Sequence, residues 1–200
     1  MDTSNCYRDY RFKITCNNSN TPSLKVNHDQ SNELARNWST PSLNTTPFTV
    51  SYTLNQFIVL GCGVQGYINT YDDGKLITSC GGCGHCNTTI PKGLKEYTME
   101  TSKFGNVKRS ITHPCIHVFL AENDFSGIDD LMFSRDDLVV PVIWDWAITD
   151  YISCEEAERN RSSYPCGTNS YCLQSDNGPG YRCKCSYGYE GNPYLLDGCQ

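Results

Sequence analysis

Six cysteines crowd the last quarter of the chain, and their spacing limits its fold more than any other feature. Cys154, Cys166, Cys172, Cys183, Cys185 and Cys199 are separated by 11, 5, 10, 1 and 13 residues. That density belongs to a small disulfide scaffold, in which covalent bridges stand in for an apolar core too small to hold the segment together. Six cysteines leave fifteen pairings open, although Cys183 and Cys185, with one residue between them, are expected to take different partners. Seven more, Cys6, Cys16, Cys62, Cys80, Cys83, Cys86 and Cys115, lie upstream in the 200-residue chain. An odd number leaves at least one of them unpaired within the chain unless it bridges to another.

Such cysteine usage implies an oxidising compartment. Asn-x-Ser/Thr sequons at Asn17, Asn37, Asn44, Asn87 and Asn160 are predicted glycosylation sites and point the same way. The longest apolar stretches, Phe57–Leu60 and the proline-interrupted Leu138–Ile148, fall short of the roughly 18 residues a membrane helix needs. Met1–Cys6 has neither a basic nor an apolar leader segment, so the expectation is of lumenal or extracellular sequence whose native amino terminus is missing. A formal net charge of −6 argues against a general nucleic-acid binder, because neutralising phosphates needs a basic excess.

Periodicity predicts strands. Residues 17–47 are polar and are expected to be loop with at most one short strand. Phe48, Val50, Tyr52 and Leu54 alternate with polar residues, which predicts a half-buried strand running into the continuously apolar Phe57–Leu60. The same period recurs at Leu138, Val140, Val142, Trp144, Trp146 and Ile148, with Pro141 on the opposite face marking an edge or a bulge. Ile116–Leu120 is expected as a buried strand, and Tyr97 with Met99 as part of one more. Ser153 followed by Glu156 forms a capping box that predicts about two helical turns over Cys154–Asn160. Asp129–Phe133 is a second candidate turn of helix. Aliphatic residues thin out after Thr149. The predicted fold is therefore mainly β and disulfide-rich, with an irregular β domain over residues 1–149 and a small stapled module over residues 150–200.

The single residue between Cys183 and Cys185, followed by Gly188-Tyr189 and Gly191 before Cys199, resembles an epidermal growth factor (EGF)-like domain. That resemblance implies pairing of Cys154 with Cys172, Cys166 with Cys183, and Cys185 with Cys199. Further phrases are Tyr7 after Cys6, Phe12 to Cys16, Thr46-Pro47-Phe48 leading to Gly61-Cys62, Ile90 to Lys95, Val140 to Ile148, and Gly191 to Gln200. Together they are similar to the ectodomain of plant wall-associated receptor kinases. In that family a galacturonan-binding, cysteine-rich domain precedes EGF-like domains, a membrane span and a Ser/Thr kinase. The resemblance implies a galacturonan-binding domain over residues 1–149, incomplete at its amino end, and an EGF-like domain over residues 150–200. The family's opening cysteine pair, its Tyr-Pro-Phe-Gly segment, its second calcium-binding repeat, the span and the kinase have no counterpart here, so a product truncated at both ends is expected.

Within the first region Lys92, Lys95, Lys103, Lys108 and Arg109 stand against only Glu96 and Glu100. Uronate carboxylates would favour such a cationic patch, with the lysines and arginine as charged hydrogen-bond donors. Arg8, Arg11 and Lys13 form a second, weaker cluster, and Tyr67, Tyr71 and Tyr97 are candidates to stack on sugar rings. Cys80, Cys83, His85 and Cys86 are the residue types of a zinc site, but His85 abuts Cys86 and an oxidising compartment favours a loop tied by disulfides. The acidic run Glu122, Asp124, Asp129, Asp130, Asp136 and Asp137 is expected to be solvated loop. In the second region Asp150 fits an EGF calcium site, yet Ser153 stands where a carboxylate is needed, and although Asp176 and Asn177 are candidate hairpin ligands, Asn177-Gly178-Pro179-Gly180 is first of all a turn. No cofactor is expected.

None of His28, His85, His113 and His117 neighbours a nucleophile elbow, and there is no phosphate-cradling glycine loop. The expected function is a non-enzymatic extracellular module binding pectin or oligogalacturonide, with extracellular proteins as second partners through the EGF-like part. A protein-interaction or decoy fragment is the alternative, and an enzyme acting on wall polysaccharide the third reading. The expected location is the cell wall, or the plasma membrane as part of a longer receptor.

Overall fold

In the computed structural model the described residues are 12, 15–16, 22–23, 38–39, 43, 45–70, 74–103, 116–127 and 140–200. They are mainly β, with one short helix, as the sequence predicts. The strands are β1 (Thr15–Cys16), β2 (Pro22–Ser23), β3 (Trp38–Ser39), β4 (Phe48–Val50), β5 (Asn55–Thr70), β6 (Leu76–Thr88), β7 (Tyr97–Lys103), β8 (His117–Glu122), β9 (Trp144–Trp146), β10 (Ser170–Gln174) and β11 (Tyr181–Cys185); the helix is α1 (Cys154–Arg159). β1 pairs with β2, and β4 with β9. Two compact units emerge, one of Met1–Thr46 with Val50–Trp144, the other of Pro47–Thr49 with Asp145–Gln200.

The first unit is organised by β5. One edge pairs with β6 along nearly its whole length; the other is shared, with β8 on Asn55–Leu60 and β7 on Val64–Thr70. The handover falls at Gly61-Cys62-Gly63, where both glycines have positive φ and the β5–β6 register shifts. Glycine is needed there because the left-handed region is costly for residues with a Cβ. Past this bend the strand returns over itself: a Cβ on Gly66 would run into Val59 Cγ2 and come within 2.9 Å of Val118 Cγ2. Phe57, Val59, Val64 and Ile68 from both halves join Val50, Tyr97, Met99 and Val118 in one buried cluster. Ile58 and Leu60 point the other way, packing with Ala121, Phe119 and Phe125 in a second cluster. The run Phe57–Leu60 is apolar throughout because both faces of the strand are covered.

Several sequence expectations change on folding. The alternating pattern from Phe48 to Leu54 does not make one strand: β4 stops at Val50, Tyr52–Leu54 turn, and Leu54 is half exposed. Buried Asn55 enforces the turn. Its Nδ2 donates to the carbonyls of Ser51 and Ile143 at 2.8 Å each, while its Oδ1 accepts from Ile143 N–H at 2.8 Å. Val140–Ile143 accordingly bonds to the turn and to Glu122 instead of extending β9; Pro141 has no N–H for a ladder. Ile116 is outside β8, which begins at His117. The segment expected to be a disulfide-tied loop, Cys80–Cys86, lies within β6, and Cys80 is bonded to Cys86. Residues 17–47 contain both β2 and β3. The Asp129–Phe133 turn lies outside the described residues.

The second unit is small and stapled. Disulfides join Cys154 to Cys172, Cys166 to Cys183 and Cys185 to Cys199. Ser153 caps α1, its Oγ accepting from Glu156 N–H at 3.2 Å. The other half of the capping box is displaced, because the Glu156 carboxylate takes Ile152 N–H at 3.2 Å. β10 and β11 form an antiparallel hairpin in which Cys172 faces Cys183. Fully buried Tyr181 stacks on Tyr164 with ring centroids 6.5 Å apart. Tyr194 lies 5.9 Å from Trp146 and accepts a hydrogen bond from Cys183 N–H through its hydroxyl.

Candidate functional site

Two turns of the first unit define a groove. The hairpin joining β5 to β6 is closed where Thr70 N–H donates to Lys75 O at 2.8 Å and Lys75 N–H donates to Thr70 Oγ1 at 2.9 Å. Facing it is the segment before β7. Ile90 and Leu94 are buried, so Pro91, Lys92 and Gly93 arch outward between two apolar anchors, with Gly93 at φ +78 allowing the reversal. Thr70, Lys75, Leu76 and Ile77 form one wall, Pro91 to Glu96 the other, around about 530 Å³.

Three of the lining residues are lysines and one, Glu96, is acidic. Lys92 is exposed, and its Nζ sits 4.7 Å from the centroid of the Tyr52 ring, a cation–π contact that restrains the side chain. Lys95 is half-buried, and its Nζ donates to Thr46 O at 2.9 Å. Burial holds its ammonium below the ordinary lysine range. An ammonium has three donors, so one bond to a carbonyl leaves others for a ligand. Such an arrangement suits carboxylates on an extended polymer better than a small enclosed molecule, since the site is an open trough with its charge along the rim.

The structure gathers Lys92 and Lys95 but not Lys103. Tyr97 and Lys103 are the two ends of β7, so Lys103 stands about 20 Å along the strand from the groove. Lys108, Arg109, Arg8, Arg11, Lys13 and Tyr71 lie outside the described residues. Tyr97 is a core residue rather than a sugar platform, and burial raises its phenol pKa strongly. Tyr67 is partly buried, with its hydroxyl 3.0 Å from Ser102 Oγ. In the sequence Asp72 and Asp73 offset Lys75 in a charge count; the available signal is the turn composition Asp-Asp-Gly, after which Lys75 stands just before β6.

Other expected sites resolve as follows. Asn87 is exposed near the end of β6, and its Nδ2 donates to Gln56 Oε1 at 2.6 Å. Asn160 is the C-cap of α1 and donates to Glu156 O at 3.1 Å. Asn17, Asn37 and Asn44 lie outside the described residues, as do Asp129, Asp130, Asp136 and Asp137. The disulfide between Cys80 and Cys86 removes two of the four ligands of the zinc alternative. Asn177, buried in the hairpin turn, donates to Asp145 Oδ2 at 2.8 Å.

No family model matches the chain, and no solved structure matches it. Curated proteins do. Wall-associated receptor kinase 2 of Arabidopsis thaliana is 36% identical over 171 residues, covering 76% of this chain and 23% of the relative. Wall-associated receptor kinase 5 of the same plant is 34% identical over 167 residues, covering 73% and 22%. Wall-associated receptor kinase 1 is 32% identical over 167 residues with the same coverage. The chain thus spans less than a quarter of the length of the relatives it matches. Over about three quarters of its own length it is a homologue of the Arabidopsis wall-associated receptor kinases, and it matches their ectodomain.

Proposed function

We propose that this chain is a non-enzymatic extracellular recognition module of a wall-associated receptor, and that it binds de-esterified pectin in the groove of Lys75, Lys92 and Lys95. One observation carries the reading: three lysines converge on a single open groove in a chain whose net charge is −6. Polygalacturonate presents a carboxylate on each sugar, so neighbouring ammonium groups engage it cumulatively. Residues 1–149 form the galacturonan-binding part. Residues 150–200 are an EGF-like module held by three disulfides, acting as spacer and protein-contact surface. The cell wall is the proposed location, with the sequons as glycosylation sites.

A second reading, a module that contacts protein instead of polysaccharide, is favoured by the outward face of the β10–β11 hairpin. There exposed Tyr171 and Leu173 stand opposite Lys184 and Arg182. Binding of the oxidatively folded, secreted chain to polygalacturonate, across salt and calcium series with neutral dextran as control, separates the two. Saturable binding that weakens with salt supports the polysaccharide reading. No binding by a chain with its disulfides verified sinks it and leaves protein contact.

A further inference from the structure

Charge is not the only feature of the lysine groove. On each wall a lysine stands next in the chain to an exposed apolar residue: Leu76 follows Lys75 on one side, and Pro91 precedes Lys92 on the other. Leu76 opens β6, pairs with Asn69 and is 53% exposed, whereas the next residue, Ile77, packs on the core from the opposite face of the strand. The core therefore takes Ile77 and leaves Leu76 outward. A single exposed leucine means little on a protein surface. This one shares an open groove with an exposed proline on the facing wall and with the ammonium groups of Lys75, Lys92 and Lys95.

We propose that Leu76 and Pro91 form an apolar platform for the pyranose rings of a bound uronic acid polymer, and that this platform makes the groove selective for such a polymer over other polyanions. The two kinds of surface fit different parts of one ligand. A uronate ring carries its carboxylate on one carbon and presents C–H groups around the rest of the ring. The lysines attract the carboxylate, and dissolved salt screens that attraction. Apolar contact with the ring removes C–H surface from water, an effect that salt does not screen. A polyanion without C–H surface engages the lysines alone, so the groove draws in many polyanions and retains the one made of sugar. The inference rests on the polysaccharide reading of the groove and assigns its selectivity to residues that carry no charge.

The test compares two immobilised polymers across a sodium chloride series, using the full oxidised chain. One is polygalacturonate; the other is polyphosphate, which has charge but no C–H surface. The parent should stay on polygalacturonate at salt concentrations that release it from polyphosphate. Equal salt sensitivity on the two overturns the platform. Leu76→Ser should weaken polygalacturonate retention at high salt about fivefold to tenfold, the worth of burying roughly half a leucine side chain, and should not move retention on polyphosphate. Leu76→Met restores apolar surface and should recover the loss. In variants whose disulfides are verified, an equal loss on both polymers, or a loss that Leu76→Met fails to recover, overturns the platform. Retention on polygalacturonate that Leu76→Ser does not alter also overturns it, while the lysine groove survives. No retention of the folded parent on polygalacturonate at any salt concentration overturns the groove reading itself, and the platform with it.

Discussion

Cys80 and Cys86 belong to one strand and are six positions apart, yet their Cα atoms are only 5.9 Å from each other. A straight strand would separate them by about 20 Å. Their partners on β5, Gly66 and Val59, are brought together by the same fold-over, and positive-φ glycines sit on both strands of the bend, Gly61 and Gly63 on β5, Gly82 and Gly84 on β6. The disulfide therefore staples a doubled-over hairpin at its point of greatest curvature, and Cys80 is itself buried in the core. Hairpin, bend and staple give the first unit its core and place the β5–β6 turn where Lys75 lines the groove.

Replacing both cysteines, Cys80→Ala with Cys86→Ala, is expected to cost the first unit about 2 kcal/mol, the chain-entropy value for so short a loop. Calorimetry of the double variant measures this as a lower unfolding temperature. An unchanged midpoint would mean that glycine conformations and strand pairing hold the bend without the staple.

Gly66→Ala puts a methyl group where Val59 and Val118 already sit. The expected cost is about 1–3 kcal/mol, as for other overpacked cores. Val59→Ala should recover part of it, so the pair is non-additive in a double-mutant cycle. Additive losses would show that the two halves of β5 do not press on each other.

Asn55 uses every polar atom of its amide within the core. Asn55→Ala strands Ile143 N–H and is expected to cost about 1–3 kcal/mol. Asn55→Asp should do no better, because a carboxylate cannot donate to the carbonyls of Ser51 and Ile143. Faster amide exchange at Ile143 in both variants is the local readout; protection equal to the parent would remove Asn55 as the clamp.

The mainly β, disulfide-rich class was legible because Phe57–Leu60 is apolar on both faces and the carboxy-terminal cysteines are so closely spaced. β6 was not, since nearly half of it is glycine and cysteine and it has no apolar period; pairing with β5 makes it a strand. Periodicity failed at Tyr52–Leu54 for a related reason: one buried amide outweighs an alternating pattern by taking the carbonyl of Ser51. At the groove, Lys92 and Lys95 could be picked by charge density, whereas Lys75 becomes visible only when the hairpin brings it opposite them. Lys103 shows the converse, near in sequence and remote along β7.

Tyr97 ties alkaline stability to burial. Its phenol pKa is raised above the ordinary 10.0 by desolvation, so the folded chain keeps the proton that the unfolded chain loses above that pH. The folded state then binds more protons, and stability present in full below pH 10.0 declines as pH rises. One such group contributes a slope of about 1.4 kcal/mol per pH unit. Tyr97→Phe should flatten the decline by that amount in brief urea titrations on either side of pH 10.0. A parallel decline in both proteins would mean that the phenol ionises in the fold.

Charge reversal tests how the groove works, because the geometry separates lysines that sequence proximity groups together. Lys75→Glu and the pair Lys92→Glu with Lys95→Glu alter the two facing walls, so each should weaken retention on polygalacturonate. Lys103→Glu changes the net charge by the same amount as Lys75→Glu but acts about 20 Å away, beyond the roughly 8–10 Å Debye length of ordinary buffers. Retention that falls with Lys75→Glu and holds with Lys103→Glu locates the polymer in the groove. Equal losses would show that only overall charge matters, and no loss from either wall would move the polymer off this face. Lys95 needs one further control, since its Nζ also holds Thr46 O: Lys95→Gln removes the charge but keeps an N–H donor for that carbonyl, so retention should fall if the charge, and not the carbonyl contact, binds the polymer.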